Sequence, residues 1–131
     1  MGKTKTTCQL FAPKGFWALT EQGKDEYCNG CGPKGIGGII PDSIFGVDIS
    51  MACNIHDYMY ALGETNEDKS EADRAFLNNM VRIIDAKSTW SWIKKLRIWM
   101  ARKYYGAVAF LGGPAFWDDK NSSEEMMAVG V

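Results

Sequence analysis

Residues 53–80 read CNIHDYMYALGETNEDKSEADRAFLNNM, and their pattern predicts how the main helices are arranged. Apolar residues recur in it three and four positions apart on both sides of Gly63, which is the spacing of two amphipathic helices. Their connection is only a few residues long, so we expect antiparallel neighbours. The first helix is predicted at about residues 48–62, with Asp48 as its N-cap, and the second at about residues 68–86.

The chain around this pair adds a third helix and two less regular ends. The third helix is predicted from about residue 88 to residue 111, with Gly106 as its weak point and Gly112-Gly113-Pro114 as its stop. Residues 1–46 read as irregular, with one short helix near residues 16–19 and an ordered loop over residues 29–38 that holds five glycines. We therefore predict one all-α domain, with a three-helix core at 47–112, a tail at 113–131 and minimal β structure.

Composition and charge exclude several classes of function. The formal net charge is −1, so the chain has no overall field that attracts nucleic acid. No stretch offers the roughly 20 apolar residues of a transmembrane helix. No signal peptide precedes the domain in this sequence, and we expect a soluble protein that is cytoplasmic unless a leader was removed.

Three polar residues stand where the helical period demands apolar ones. His56 lies on the apolar face of the first helix, with Tyr60 one turn later, and Asp73 lies on the apolar face of the second. Each alone has an ordinary structural explanation: a hydrogen-bonded core histidine, a packing tyrosine, and an acid near a helix N-terminus. Together they predict a buried His–Asp pair that leaves one imidazole nitrogen available as a general base.

Asp57 points about 100° away from His56 around the first helix, toward the glycine-rich loop. A carboxylate together with loop carbonyls and water would suit calcium, which prefers oxygen ligands. The simpler alternative is a solvated surface aspartate.

These residues together resemble the phospholipase A2 superfamily. The matching positions are Cys31-Gly32 with its glycine-rich continuation, the helix Cys53-Asn54-Ile55-His56-Asp57-Tyr58-Met59-Tyr60, and Ala72-Asp73-Arg74-Ala75-Phe76. The match covers roughly residues 28–80, about half of the chain.

The resemblance implies a calcium-dependent hydrolase that cleaves a fatty-acyl ester of phospholipids at a membrane surface. His56 would be the general base, Asp73 would orient it, and Tyr60 would hydrogen-bond Asp73. The implied calcium ligands are Asp57 and the backbone carbonyls of three loop residues, namely Gly30, Gly32 and Lys34. The implied disulfide is Cys31–Cys53, which leaves Cys8–Cys28 as a second pair by elimination.

The chain also departs from the secreted members of this superfamily. Met59 and Ala72 occupy positions where a disulfide is common, and only about a dozen residues separate Tyr60 from Asp73. The β-hairpin of larger members, and the second tyrosine that it supplies, should therefore be missing. In this respect the chain is similar to the compact bacterial and viral versions. The loop sequence Gly32-Pro33-Lys34-Gly35 also differs from the usual glycine pattern.

Two other functions compete with the hydrolase. Three cysteines and one histidine have the spacing of a structural zinc site, namely Cys28, Cys31, Cys53 and His56. Zinc would leave Asp73 without a partner, and His56 cannot be both a zinc ligand and a free base. The third alternative is an inactive relative that only binds lipid or protein.

The third helix combines aromatic residues with cations, and two interpretations remain open. Its tryptophans and lysines are typical of a helix that lies on an anionic membrane. The alternative is that the helix closes the core over the first two, with its cations merely solvated.

Overall fold

The computed structural model describes residues 8–28, 40–117 and 130. These residues form six helices and one two-stranded sheet, so the prediction of a mainly helical fold is confirmed. In chain order the elements are α1 (Lys14–Trp17), α2 (Glu21–Tyr27), β1 (Ser43–Ile44), β2 (Val47–Asp48), α3 (Ser50–Leu62), α4 (Asn66–Lys87), α5 (Ser91–Leu111) and α6 (Gly113–Trp117).

Helix α4 is the centre of the fold, because it packs against α3 on one side and α5 on the other. Apolar residues that recur every three or four positions on α4 place one face in the core, including Phe76, Met80 and Ile84, all of which are fully buried. Ala52 of α3 and Ala101 of α5 complete the same cluster. The three long helices are those that the sequence predicted.

The start of α4 lies two residues before the predicted one. Thr65 is the N-cap, and its hydroxyl accepts a hydrogen bond from the Asp68 backbone N–H at 3.0 Å. The Asp68 carboxylate in turn accepts from the Thr65 backbone N–H at 3.1 Å. This reciprocal capping box makes Asp68 the third residue of the helix rather than its first.

Asp48 ends a short hairpin instead of capping α3 directly. Strands β1 and β2 pair antiparallel across Phe45 and Gly46, both of which have positive φ, as a tight two-residue hairpin turn requires. The Asp48 carboxylate accepts a hydrogen bond from the Ser50 N–H at 2.8 Å, and α3 begins there. At its other end, Gly63 is the C-cap in an extended conformation, with φ of −69°.

The predicted stop at Gly112 is correct, but the chain does not become an irregular tail there. Gly106 lies within α5 without interrupting it, and α6 begins directly after Gly112. Pro114 stands in the first turn of α6, where its missing N–H costs no hydrogen bond. Phe116 is fully buried against Tyr60. Residues 113–117 are therefore part of the fold.

The N-terminal segment is more regular than predicted. The expected short helix is present as α1, whereas α2 was not predicted because it buries no residue and so shows no apolar period. Asn79, fully buried on α4, fastens this segment to the core. Its side-chain amide donates to the Phe11 carbonyl and accepts from the Phe11 N–H, both at 2.9 Å.

Candidate active site

His56 lies inside the interface between α3 and α4. Its side chain is fully buried, and its ring packs against Tyr60 at a centroid distance of 4.0 Å and against Phe76 at 4.9 Å. The helical period of α3 places it there, since residues four apart share one face. A fully buried imidazole needs a polar partner.

Asp73 of α4 is that partner. His56 Nε2 lies 2.8 Å from Asp73 Oδ1, and the carboxylate is almost completely buried. The structure thus brings together the two residues that the sequence placed on facing helix surfaces. The short connection 63–65 makes this possible, because it leaves α3 and α4 side by side.

Tyr60 joins the same carboxylate oxygen. Its hydroxyl donates a hydrogen bond to Asp73 Oδ1 at 2.7 Å. Gly112, the residue between α5 and α6, lies against this hydroxyl. A Cβ atom built on Gly112 would come within 2.6 Å of the Tyr60 oxygen. The break between the last two helices therefore leaves room for the tyrosine of the site.

Lys69 completes the surroundings of Asp73, and no sequence pattern singled it out. Its Nζ lies 2.9 Å from Asp73 Oδ2, the oxygen that neither His56 nor Tyr60 uses. The same ammonium also donates to the carbonyls of Val108 and Ala109, near the end of α5, at 3.2 and 3.3 Å. Its spacing of four residues from Asp73 is the ordinary signal of a surface ion pair, yet the side chain is only 13% exposed.

These contacts keep Asp73 ionised. Burial by itself would raise the pKa of the Asp73 carboxyl, but the hydrogen bonds from His56, Tyr60 and Lys69 outweigh it and lower the pKa below its usual value. Burial, together with the bond to Asp73, raises the pKa of Tyr60. Tyr60 therefore remains a neutral hydrogen-bond donor.

His56 remains neutral as well. Burial lowers its pKa and outweighs the opposing effect of Asp73, while the charge of Lys69 lowers the pKa further. An ionised carboxylate only accepts hydrogen bonds, so Nε2 must carry the ring proton. Nδ1 then holds the free lone pair. Nδ1 is buried and has no hydrogen-bond partner among residues 8–28, 40–117 and 130.

Asp57 follows on the next position of α3, on another side of the helix. It is 9% exposed, so it is not the solvated surface residue of the simpler interpretation. Its charge contributes to raising the pKa of the Cys28 thiol, after burial as the main cause. Asp57 thus lies near Cys28, the last described residue before the loop, on the side that the sequence predicted.

One of the four predicted calcium ligands lies within the described residues. The predicted carbonyl ligands Gly30, Gly32 and Lys34 lie outside the described residues. The described ligand, Asp57, is a buried carboxylate near the start of the loop, and its oxygens are the donor type that calcium prefers. The chemistry of this residue fits the predicted ion.

The predicted disulfide Cys8–Cys28 is wrong. Both thiols are free, and they pack in different parts of the core: Cys8 against the main cluster, and Cys28 against a second cluster around Phe16. The Cys28 thiol donates to the Asn54 carbonyl, with a sulfur-to-oxygen distance of 3.7 Å. Cys53 is fully buried and is not a free thiol. Its predicted partner Cys31 lies outside the described residues, so that pairing stays a prediction.

The described residues also bear on the zinc alternative. Cys28, Cys53 and His56 are all described, and they do not form a group that could hold a metal ion. The fourth proposed ligand, Cys31, lies outside the described part of the chain. His56 Nε2 is occupied by Asp73.

A surface cavity of about 660 Å³ lies elsewhere on the molecule. Its walls come from the hairpin, α3, α4 and α5, including Val47, Met51 and Ile83. None of the predicted site residues lines it. We therefore assign the candidate site to the contacts around His56 and not to this cavity.

Comparison with known protein families, with curated proteins and with solved structures finds no match to this chain. The resemblance to phospholipase A2 therefore depends on the quoted motif residues.

Proposed function

We propose that this chain hydrolyses the fatty-acyl ester of glycerophospholipids, with His56 as the general base. One observation carries the proposal. Asp73 fixes the imidazole with its proton on Nε2, and the unprotonated Nδ1 is buried without a partner in the described residues. A buried nitrogen in this condition costs roughly 1–3 kcal/mol unless something donates to it. A water molecule that enters the site would provide that donor.

The reaction needs two proton transfers at the same nitrogen. Nδ1 takes a proton from water while the water oxygen forms a bond to the ester carbonyl carbon, and the C=O electron pair moves onto its oxygen. When that pair returns, the bond to the glycerol oxygen breaks, and the departing oxygen takes the proton from Nδ1. The products are a free fatty acid and a lysophospholipid.

Asp73, Tyr60 and Lys69 act as positioning residues in this scheme. The carboxylate holds the imidazole in the required tautomer and stabilises the imidazolium that forms between the two transfers. Tyr60 and Lys69 also hydrogen-bond the carboxylate and so restrict its rotation away from His56. In this scheme Lys69 takes the place of the second tyrosine, which larger members of the superfamily have and which this chain is expected to lack.

Calcium would be held by Asp57 and by the backbone carbonyls of Gly30, Gly32 and Lys34. When bound, it would supply a positive charge that polarises the ester carbonyl and stabilises the developing negative oxygen. The role of Asp57 is then to hold the ion beside His56. It takes no part in proton transfer.

The substrate would come from a phospholipid membrane whose surface the protein contacts as a peripheral protein. No helix within the described residues is long and apolar enough to cross a membrane. The net charge of −1 gives the chain no overall field that would attract nucleic acid.

Release of fatty acid from mixed phospholipid vesicles, with calcium and with a chelator, tests the proposal. We expect release that depends on calcium and that is lost in Asp57→Asn. Asp85→Asn is the matched control, because it removes the same charge from an exposed site at the far end of α4. Vesicle binding without release under both conditions would instead identify an inactive lipid-binding relative. One tightly held zinc per chain would support the structural zinc module.

A further inference from the structure

The outward face of α5 is apolar, although it does not contribute to the core. Trp92, Leu96, Trp99 and Phe110 lie 4, 3 and 11 positions apart, which places them on one side of the helix at 100° per residue. We call these four residues the α5 outer stripe. Their exposed fractions are 64%, 39%, 52% and 88%. The stripe runs for about 27 Å along the helix.

The opposite side of α5 already supplies the packing that the fold needs. Ala101 and Val108 are fully buried and face the core, about half a turn away from the stripe. The third helix therefore closes the core, as one of the two interpretations of the sequence holds. That role does not explain why the tryptophans are exposed. Exposed apolar patches on a protein surface often mark interaction sites.

Positive charge surrounds the stripe. Helix α5 carries five cations and no acidic residue, although the whole chain has a net charge of −1. Two of the five are engaged toward the body of the protein: Arg97 binds the Phe45 carbonyl, and Lys94 pairs with Asp85. The other three, Lys95, Arg102 and Lys103, are exposed and pair with no carboxylate in the described residues.

Lys103 is a cation that contacts the α5 outer stripe. It lies on the same side of the helix as the stripe, with its Nζ 5.0 Å from the centre of the Trp99 ring. A lysine whose stem covers an apolar surface while its ammonium stays in water is typical of the membrane boundary. Tryptophan has the same preference, because its ring is apolar and its N–H is polar.

We propose that the α5 outer stripe docks the protein onto a bilayer that contains anionic phospholipid. The tryptophans and Phe110 would enter the headgroup boundary, while Lys95, Arg102 and Lys103 would meet the lipid phosphates. A second copy of the chain fits this face less well. A two-fold pairing would set the same uncompensated cations against each other.

This inference rests on the proposed function for the class of substrate and names a surface that would hold the protein on the lipid, but docking itself does not require turnover. The test therefore uses His56→Gln protein, which we expect to bind without hydrolysis. Sedimentation with vesicles of neutral phosphatidylcholine, and with vesicles that also contain anionic phosphatidylglycerol, measures the bound fraction at low and high salt.

We expect tighter binding to the anionic vesicles, weakened by salt. Trp92→Ser with Trp99→Ser should lower the partition coefficient at least ~10-fold, because the binding depends on buried apolar area. Trp17→Ser is the matched control: this tryptophan is 54% exposed but lies on α1. Lys95→Glu with Arg102→Glu should remove the preference for anionic lipid, while Lys24→Glu on α2 should not.

Equal binding by the stripe variants and the parent would overturn the inference. A loss of vesicle binding in Trp17→Ser as large as in the double tryptophan variant would also overturn it. The same holds if the parent protein forms dimers that the stripe variants abolish and does not bind vesicles. Hydrolysis of a monomeric short-chain ester by the His56-containing protein separates this inference from the proposed function. The stripe variants should keep that activity. If the parent protein binds vesicles but does not hydrolyse the short-chain ester, the proposed function is wrong and the docking inference stands.

Discussion

Lys69 Nζ lies 2.9 Å from Asp73 Oδ2, while His56 and Tyr60 both use the other oxygen of that carboxylate. Both oxygens of the buried acid are thereby occupied. The same ammonium reaches the carbonyls of Val108 and Ala109, so it also fastens the end of α5 to the site. A cation at the end of a helix is favoured by the helix dipole as well.

Replacing Lys69 should reduce hydrolysis without removing the base. In Lys69→Met, Asp73 loses the partner of its second oxygen, and the dyad becomes less well oriented. We expect the rate of fatty-acid release to fall roughly 10- to 100-fold, which is the scale of small misplacements at a reacting centre. Lys69→Arg should recover part of this rate, because it keeps the charge. Lys87→Met, at the other end of α4, should have the parent rate. An unchanged rate in Lys69→Met would show that the lysine is only structural.

The stability of the protein should fall as His56 becomes protonated below neutral pH. It is the only histidine, and burial lowers its folded-state pKa below the ordinary 6.5. The unfolded chain therefore binds a proton that the folded chain does not, so the contribution is complete above pH 6.5 and is lost as the pH falls below it. The free energy of unfolding should therefore fall as the pH is lowered from 7 to 5. Urea unfolding in chelator from pH 7 to 5 measures it. A parent protein whose free energy of unfolding falls no more than that of His56→Gln would contradict the assignment.

Gly112 should be intolerant of a side chain because of Tyr60. A Cβ atom there would meet the Tyr60 oxygen at 2.6 Å as well as the Val108 carbonyl. Gly112→Ala should therefore lower the melting temperature and the rate of hydrolysis together. Gly106→Ala is the control, since it adds the same methyl group within α5 where nothing lies within 4 Å. That change should stabilise the protein by roughly 0.5–1 kcal/mol. Equal behaviour of the two variants in thermal unfolding would argue against close packing at Tyr60.

The tautomer of His56 gives a prediction that does not depend on activity. With ionised Asp73 as an acceptor, Nε2 should carry the proton and Nδ1 should not. Nitrogen NMR of histidine-labelled protein at neutral pH should show one protonated ring nitrogen, with Nε2 as its assignment. Asp73→Asn should disturb this preference, because an amide offers both a donor and an acceptor. A proton on Nδ1 in the parent protein would remove the proposed base.

The features that could be predicted from the sequence are polar residues that interrupt an apolar helix face. His56 and Asp73 could be found because a polar residue on an apolar helix face needs a partner, and the short connection left only one arrangement of the two helices. Lys69 could not be found in this way. A lysine four residues before an aspartate indicates a surface pair, and its burial depends on where α5 ends in space.

The elements that were missed lack a periodic apolar face. Helix α2 buries no residue, and α6 is too short to show a period. The Cys8–Cys28 pair followed only by elimination. In the structure the two residues pack against different hydrophobic clusters, so no disulfide joins them. Sequence spacing gives no distance between such clusters.

The role of His56 as the general base can be measured by fatty-acid release from phospholipid vesicles in calcium, with the parent protein and two variants of His56. His56→Gln keeps a donor for Asp73 and much of the ring volume but offers no basic nitrogen, and His56→Ala removes both. We expect both variants to lose at least ~100-fold in rate, the scale of a general base, while His56→Gln keeps the helical circular dichroism of the parent. Near-normal release by folded His56→Gln would contradict the account.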